Sequence, residues 1–104
     1  DALVGRYSGD RVMQMVRVSG RHRGDIRLYA LSTCGWCAKT KELLNTLGVE
    51  YSYVFVDLLP QEELEGALSE VEKYNPAGSF PTLVIDGSRV IVGFREAEIR
   101  EVLK

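Results

Sequence analysis

The sequence predicts an α/β domain built on a mixed four-stranded sheet with helices on both faces. Three observations carry this prediction. From residue 25 onward, strand-like and helix-like segments alternate in the order β-α-β-α-β-β-α. The first β-α-β unit requires a parallel strand pair with its helix packed on the sheet. The late strand pair, joined by Asp86-Gly87, requires an antiparallel hairpin. At 104 residues the chain is long enough to bury one core without disulfide support.

The first strand and the first helix flank a pair of cysteines. Residues 26–31 are almost all apolar, which is typical of a central strand buried on both faces. Ser32 and Thr33 follow, and their hydroxyls are expected to cap the next helix. That helix covers residues 38–47, and Gly48 ends it. Its predicted apolar face comprises Trp36, Thr40, Leu43, Leu44 and Leu47.

The remaining elements are set by apolar spacing and by turn residues. Residues 51–56 are predicted to form the second strand, and a second helix opens after Pro60 with acidic residues in its first turn. Residues 75–78 end this helix. Residues 81–85 and 89–92 form the hairpin strands. The predicted buried stripes of the last two helices are Leu64, Ala67, Leu68 and Val71, and then Ile99, Val102 and Leu103.

Residues 1–24 differ in character from the rest of the chain. Within them, residues 12–18 are rich in strand-forming side chains and end at Ser19-Gly20. Two interpretations remain open, an extra edge strand paired with the sheet and a flexible arm. We therefore divide the chain into an amino-terminal extension, residues 1–24, and a domain, residues 25–104.

The sequence Cys34-Gly35-Trp36-Cys37 contains both cysteines of the chain. A C-x-x-C at a strand-to-helix junction is typical of a thioredoxin-like redox site. Cys34 would lie at the helix N-terminus, where free N–H groups and the helix dipole favour the reactive thiolate. Cys37 would follow on the first helical turn, within bonding reach of the Cys34 sulfur. A mixed disulfide could thus be resolved internally.

Two other uses of the cysteines fit less well. A zinc site needs about four ligands, and beyond the two cysteines the only histidine is His22. A structural disulfide closing so short a loop would constrain the unfolded chain little. The sequence therefore predicts redox chemistry and no metal site.

Composition excludes several classes of function. The net charge of −2 gives no electrostatic case for binding nucleic acid. No apolar run approaches the ~20 residues needed to span a membrane. The sequence has no glycine-rich phosphate loop, carboxylate pair or Ser/His/Asp constellation, so hydrolases and kinases have no support. Two cysteines in one motif suit a reducing compartment, and we expect the protein in the cytoplasm.

Residues 25–104 resemble the glutaredoxin-like branch of the thioredoxin superfamily. The resemblance rests on residues 32–37, on Phe80-Pro81-Thr82, on the Asp86-Gly87 turn and on Gly93-Phe94-Arg95. It implies a three-layer thioredoxin-like fold, with Cys34 as the nucleophile and Cys37 as the resolving thiol. It also implies that Pro81 is a cis-proline lying against the redox pair and exposing the backbone of Phe80. Without the resemblance, Pro81 would be the start of an edge strand with a trans bond.

Three departures from glutathione-dependent glutaredoxins follow from this resemblance. Those proteins usually carry Pro-Tyr between the cysteines, a lysine three residues before the first cysteine, and a Ser/Asp-Asp pair at the last helix. Here these places hold Gly35-Trp36, Leu31 and Arg95-Glu96, so partners for the carboxylate and amine of glutathione are missing. Gly93-Phe94-Arg95 instead resembles NrdH-type redoxins, which pass electrons from a thioredoxin reductase to ribonucleotide reductase.

A set of residues beside the cysteines is expected to contact substrate or partner proteins: Thr33, Trp36, Phe80, Pro81, Gly93 and Phe94. For Trp36 and Phe94, core packing and partner contact both remain open.

The expected function is reduction of protein disulfides by a monomer with no bound cofactor. The external reductant would be a thioredoxin reductase with NADPH, or glutathione. The alternatives are a glutathione-dependent glutaredoxin, an iron–sulfur carrier in which two protomers share a cluster, and a binding module with an incidental dithiol.

Overall fold

A computed structural model describes residues 15–104, which form a five-stranded mixed sheet and three α-helices. The elements in chain order are β1 (Val16–Val18), β2 (Ile26–Ala30), α1 (Gly35–Leu47), β3 (Tyr51–Phe55), a 3-10 turn (Val56–Leu58), α2 (Gln61–Tyr74), β4 (Thr82–Ile85), β5 (Arg89–Val92) and α3 (Glu96–Leu103). In this described part of the chain, no helix is both long enough and apolar enough to cross a membrane.

The strands lie in the order β1-β3-β2-β4-β5. β2 and β3 are parallel, with Leu28 opposite Tyr53, as the crossover through α1 requires. All other neighbouring strands are antiparallel. In the hairpin turn, Asp86 and Gly87 both have positive φ, 55° and 69°, which matches the right-handed twist of the strands. The predicted mixed sheet with its late hairpin is confirmed.

The sheet is buried on both faces by two separate cores. Along β2, Leu28 points into the first core and Tyr29 into the second, because neighbouring strand residues face opposite sides. α1 and α3 cover the first core and contribute Cys37, Leu43, Leu44, Ile99 and Leu103. α2 covers the second core and contributes Ala67 and Val71. The prediction of helices on both faces is therefore confirmed.

The extension before β2 contributes an edge strand. β1 pairs antiparallel with β3, and Val16 lies opposite Tyr53. Past β1, the N–H of Arg21 donates to the carbonyl of Gly48 at 2.7 Å, and the N–H of Glu50 donates to the carbonyl of Arg21 at 2.8 Å. Residues 1–14 lie outside the described residues, and the domain boundary after residue 24 stays a prediction.

Two side chains depart from the predicted apolar stripes. α1 buries Thr40, Leu43 and Leu44 as expected, but Trp36 is 60% exposed. In α2, Leu68 is 38% exposed, because the sheet covers only the stripe around Ala67. Trp36 lies in the first turn of α1, where its ring stacks on Phe94 instead of entering the core.

Candidate active site: a dithiol at the N-terminus of α1

The sulfur of Cys34 caps α1. Cys34 has extended backbone angles (φ −94°, ψ 118°), and its Sγ accepts a hydrogen bond from the N–H of Cys37 at 3.1 Å. The expectation that a hydroxyl of Ser32 or Thr33 caps the helix is wrong. Because α1 begins at Gly35 rather than at residue 38, the capping position falls on Cys34 itself.

This position gives the Cys34 sulfur the surroundings of an anion site. It accepts an N–H bond at the positive end of a 13-residue helix, and both features favour negative charge on the sulfur. Cys34 is half-buried, so its sulfur remains accessible to another molecule. These are the conditions under which a thiolate attacks a disulfide.

Cys37 has the opposite environment. It lies in the first core with 1% of its surface exposed. Burial, and then the neighbouring Cys34 side chain, raises the pKa of the Cys37 thiol to about 12. The two thiols are not bonded to each other. Cys37 therefore keeps its proton at neutral pH, and only Cys34 is accessible from outside.

The turn that leads into Cys34 is fastened to the end of β3. The N–H of Ser32 donates to Oδ1 of Asp57 at 2.8 Å, and its hydroxyl donates to Oδ2 at 2.5 Å. The sequence reasoning missed Asp57. The available signal was the parallel pairing of the first two strands, which places the residues following each strand at the same edge of the sheet.

The Phe80–Pro81 peptide bond is cis, as the resemblance implies. Pro81 is buried, and its carbonyl accepts a hydrogen bond from the N–H of Gly93 at 2.9 Å. This bond joins the start of β4 to the residues that precede α3. Phe80 is half-buried and packs against both cores.

A buried amide holds the loop before Pro81. The side chain of Asn75 donates to the carbonyl of Ser79 at 3.0 Å and to the hydroxyl of Thr82 at 3.1 Å. Thr82 donates in turn to the carbonyl of Ser79 at 2.8 Å. Sequence reasoning treated Asn75 only as part of a helix terminator. The available signal was the position of Asn75, a polar residue between a helix and a strand-opening proline, where its side chain can hydrogen-bond the connecting loop.

Trp36 and Phe94 stack on each other. Their ring centroids are 5.8 Å apart, and the planes differ by 21°. Phe94 is half-buried against the first core while Trp36 is largely exposed, so the pair forms an apolar surface beside the cysteines. Trp36 is therefore not a core residue, and its contact with partner proteins stays a prediction.

The structure brings most of the predicted contact residues to one edge of the molecule. Trp36 meets Phe94, and Gly93 meets Pro81. Thr33 is exposed in the turn before Cys34. Their roles in binding stay predictions.

A groove also opens onto Cys34 from the other side, between α1 and β3. Its volume is about 390 Å³. Tyr53 and Phe55 form an aromatic floor with ring centroids 5.3 Å apart, and the ammonium of Lys41 lies 4.6 Å from the centre of the Tyr53 ring. Cys34 therefore lies between two surfaces, the stacked pair Trp36 and Phe94 and this groove.

The positions that differ from glutathione-dependent glutaredoxins can now be located. Leu31 is half-buried and lines this groove, where it offers no charge. Arg95 precedes α3, and its guanidinium pairs with Glu98 at 3.2 Å.

Comparison with known proteins identifies the family of the chain. A family model described as glutaredoxin matches residues 26–90. A glutaredoxin-like 8.6 kDa protein of Clostridium pasteurianum, whose gene lies in a rubredoxin operon, is 33% identical over 79 residues, which cover 76% of this chain and 97% of that protein.

Two solved structures are more similar. Methanoredoxin of Methanosarcina acetivorans superimposes with a TM-score of 0.83 at 51% identity, covering 90% of this chain and 98% of that one. Glutaredoxin of Methanosarcina mazei gives a TM-score of 0.80 at 52% identity, covering 88% of each chain. The two matches cover 90% and 88% of this chain, which is more than residues 25–104 alone could account for. The similarity therefore includes part of the amino-terminal extension.

Proposed function

Because the chain belongs to the glutaredoxin family, we propose that its dithiol reduces disulfides in other proteins. A thiol redox function follows from the family and from the adjacent Cys34 and Cys37. The proposal adds the class of substrate and the order of the steps. The observation that carries it is the asymmetry of the two thiols, since Cys34 is accessible and hydrogen-bonded whereas Cys37 is buried and protonated.

The reaction proceeds by two thiol–disulfide exchanges. The Cys34 thiolate attacks one sulfur of the substrate disulfide, forms a new S–S bond and releases the other sulfur as a thiolate, which takes up a proton. Cys37 then loses its proton and attacks the Cys34 sulfur. This releases the second substrate thiol and leaves a Cys34–Cys37 disulfide. Two electrons have moved to the substrate, and no bound cofactor takes part.

An external donor must return the two electrons, and we assign this role to a thioredoxin reductase that uses NADPH. Such a reductase reaches the disulfide by protein–protein docking, for which the stacked Trp36 and Phe94 provide an apolar contact. Glutathione would need charged partners for its carboxylates and amine. The apolar Leu31 supplies none, Arg95 is already paired with Glu98, and the Lys41 ammonium in the groove lies over the Tyr53 ring.

The substrates proposed are proteins with accessible disulfides. Ribonucleotide reductase is the one implied by the similarity of Gly93-Phe94-Arg95 to NrdH-type redoxins.

The test is a comparison of electron donors at equal enzyme concentration. Insulin disulfide reduction is followed with NADPH and a thioredoxin reductase, and in parallel with NADPH, glutathione and glutathione reductase. We expect the first system to be faster by a factor of ten or more, because two missing charge-assisted contacts cost glutathione about 1.5–3 kcal/mol each. Efficient turnover with glutathione, and none with any thioredoxin reductase, would contradict the assignment of the donor.

A pair of variants tests the docking surface. Trp36→Ala should raise the KM for the reductase, because it removes the exposed half of the aromatic stack. Leu68→Ala is the matched control, since Leu68 is an exposed apolar residue on α2, across the sheet from the cysteines. Equal effects of the two variants would show that the stack takes no part in docking.

A further inference from the structure

Asp57 lies at the sheet edge from which the nucleophile projects. β2 and β3 are parallel, and their last residues, Ala30 and Phe55, are register partners. The chain therefore leaves both strands at the same edge. Ser32 stands two residues beyond β2 and Asp57 stands two residues beyond β3, so their side chains meet there.

Both oxygens of the Asp57 carboxylate bind the same residue. Oδ1 accepts from the Ser32 N–H at 2.8 Å, and Oδ2 accepts from the Ser32 hydroxyl at 2.5 Å. The hydroxyl bond, and then the backbone bond, lowers the pKa of Asp57 below its usual value. The carboxyl group is thus ionised at neutral pH and has committed one lone pair of each oxygen to Ser32.

The tethered residue belongs to a tight turn that ends at the reactive sulfur. The N–H of Cys34 donates to the carbonyl of Leu31 at 3.3 Å and closes this turn around Ser32 and Thr33. Leu31 and Cys34, at the two ends of the turn, pack against the cores, but Ser32 and Thr33 between them are exposed. The middle of the turn is therefore held by hydrogen bonds rather than by core packing, and those bonds contribute to the position of the Cys34 sulfur over the N–H of Cys37.

We propose that Asp57 is a positioning residue for Cys34, fastening the turn at Ser32 so that the sulfur stays at the N-terminus of α1. The proposal deepens the function proposed above and rests on it only for its biological purpose. We do not assign Asp57 the role of base for Cys37, because its lowered pKa makes it a poor proton acceptor.

The experiment measures the reactivity of the Cys34 sulfur directly. In a Cys37→Ser background, which leaves one thiol, the rate of alkylation by iodoacetamide at pH 7 is followed by intact-protein mass spectrometry. The variants are Asp57→Ala, which removes both bonds, and Ser32→Ala, which removes only the hydroxyl bond. Glu65→Gln is the control for loss of an exposed acidic charge, since Glu65 lies on α2 across the sheet.

The direction in which the alkylation rate changes distinguishes a positioning role of Asp57 from a purely electrostatic one. If Asp57 positions the turn, Asp57→Ala alkylates about tenfold more slowly, because the sulfur loses the N–H bond that stabilises its negative charge. Ser32→Ala slows less, since the backbone bond remains, and Glu65→Gln matches the parent. Faster alkylation of Asp57→Ala would mean that the carboxylate acts only through its charge, and an unchanged rate would mean that the tether is structural. Either result overturns the proposal.

A conservative variant separates the hydrogen bonds of Asp57 from its charge. Asp57→Asn keeps one acceptor for the Ser32 N–H but loses the charge, so a positioning role predicts a rate between those of Asp57→Ala and the parent. A rate above that of the parent contradicts it. Alkylation needs neither an electron donor nor a substrate protein, so failure of the proposed reductase function would leave these outcomes unaffected.

Discussion

The two cysteines lie three residues apart on one helical turn, yet Cys34 is partly exposed whereas Cys37 is buried in the core. The Cys34 sulfur takes the place that an oxygen of Ser, Thr, Asp or Asn takes at most helix starts. A sulfur in that place is held for reaction and also stabilises the helix it begins. Cys37 lies in the first core with Leu43 and Leu44, where burial keeps its thiol protonated.

The first prediction concerns the order in which the thiols react. Cys34 should be alkylated at least tenfold faster than Cys37 at pH 7, because Cys37 is 1% exposed and has a pKa of about 12. Peptide mapping after a brief pulse of iodoacetamide measures both rates in one sample. Cys37→Ser should accumulate mixed disulfides with substrate, whereas Cys34→Ser should lose reductase activity. Equal labelling, or residual activity in Cys34→Ser, would reverse the assigned roles.

The second prediction concerns the buried amide of Asn75. Asn75→Ala should lower the free energy of unfolding by about 2 kcal/mol, because it removes two hydrogen bonds of the buried amide and leaves the Thr82 hydroxyl and the Ser79 carbonyl with only their bond to each other. Urea denaturation measures the loss. Gln61→Ala is the control for loss of an exposed amide, at the start of α2, and should cost about 0.5 kcal/mol or less. Similar losses in both variants would show that the loop is not braced by Asn75.

At the scale of elements, local patterns predicted most of the fold. The buried strand β2, the Asp86-Gly87 turn and the helix end at Gly48 each depend on residues close together in sequence, so periodicity and turn chemistry identify them. The start of α1 was placed three residues late, because no hydroxyl or carboxylate marks it and sulfur is not among the usual capping groups.

The features that could not be predicted depend on contacts between distant segments. β1 has only three residues, so its own pattern left an edge strand and a flexible arm open, and only its pairing with β3 decides between them. The bond from Ser32 to Asp57 spans 25 positions, and that from Asn75 to Thr82 requires a loop geometry that sequence spacing does not give. The cysteine pair and Pro81 were recognisable because a motif identifies them; the residues that hold them have no motif.

The third prediction tests how tightly the extension is joined to the domain. A Cβ at Gly20 would lie 2.6 Å from the carbonyl oxygen of Gly48 and from the carbonyl carbon of Val49, both backbone atoms that cannot rotate away. Gly20→Ala should therefore cost about 1–3 kcal/mol of stability. Gly35→Ala is the control, because no atom lies within 4 Å of its Cβ. Thermal unfolding of the two variants decides, and equal midpoints would mean that the segment before β2 is not packed against the end of α1.

At the scale of the whole molecule, five parts of the chain converge at the candidate active site. β2 delivers the turn that ends at Cys34, α1 supplies its first N–H groups, and the 3-10 turn after β3 supplies Asp57. The start of β4 is tied to the segment before α3 by the bond from Gly93 to Pro81. The first core, which packs beneath this site, contains two ionisable groups, Cys37 and Tyr51. The protonation of these groups therefore links the stability of the fold to pH.

The last prediction follows from two such groups. Burial raises the pKa of the Cys37 thiol from 9.0 to about 12 and that of the Tyr51 hydroxyl from 10.0 to about 12. Between these values the unfolded chain releases protons that the folded chain retains, so the free energy of unfolding falls as pH rises. The reduced protein should therefore keep its full stability below about pH 9 and lose it progressively toward pH 12.

Urea denaturation of the reduced and disulfide-bonded forms, at intervals from pH 7 to 11, measures this dependence of the free energy of unfolding on pH. The disulfide-bonded form has no Cys37 thiol to titrate, so its stability should fall less steeply, and Tyr51→Phe should make the fall shallower in both. A decline that begins below pH 8, or one that is identical in the two redox forms, would contradict the assignment of the alkaline limb to these buried groups.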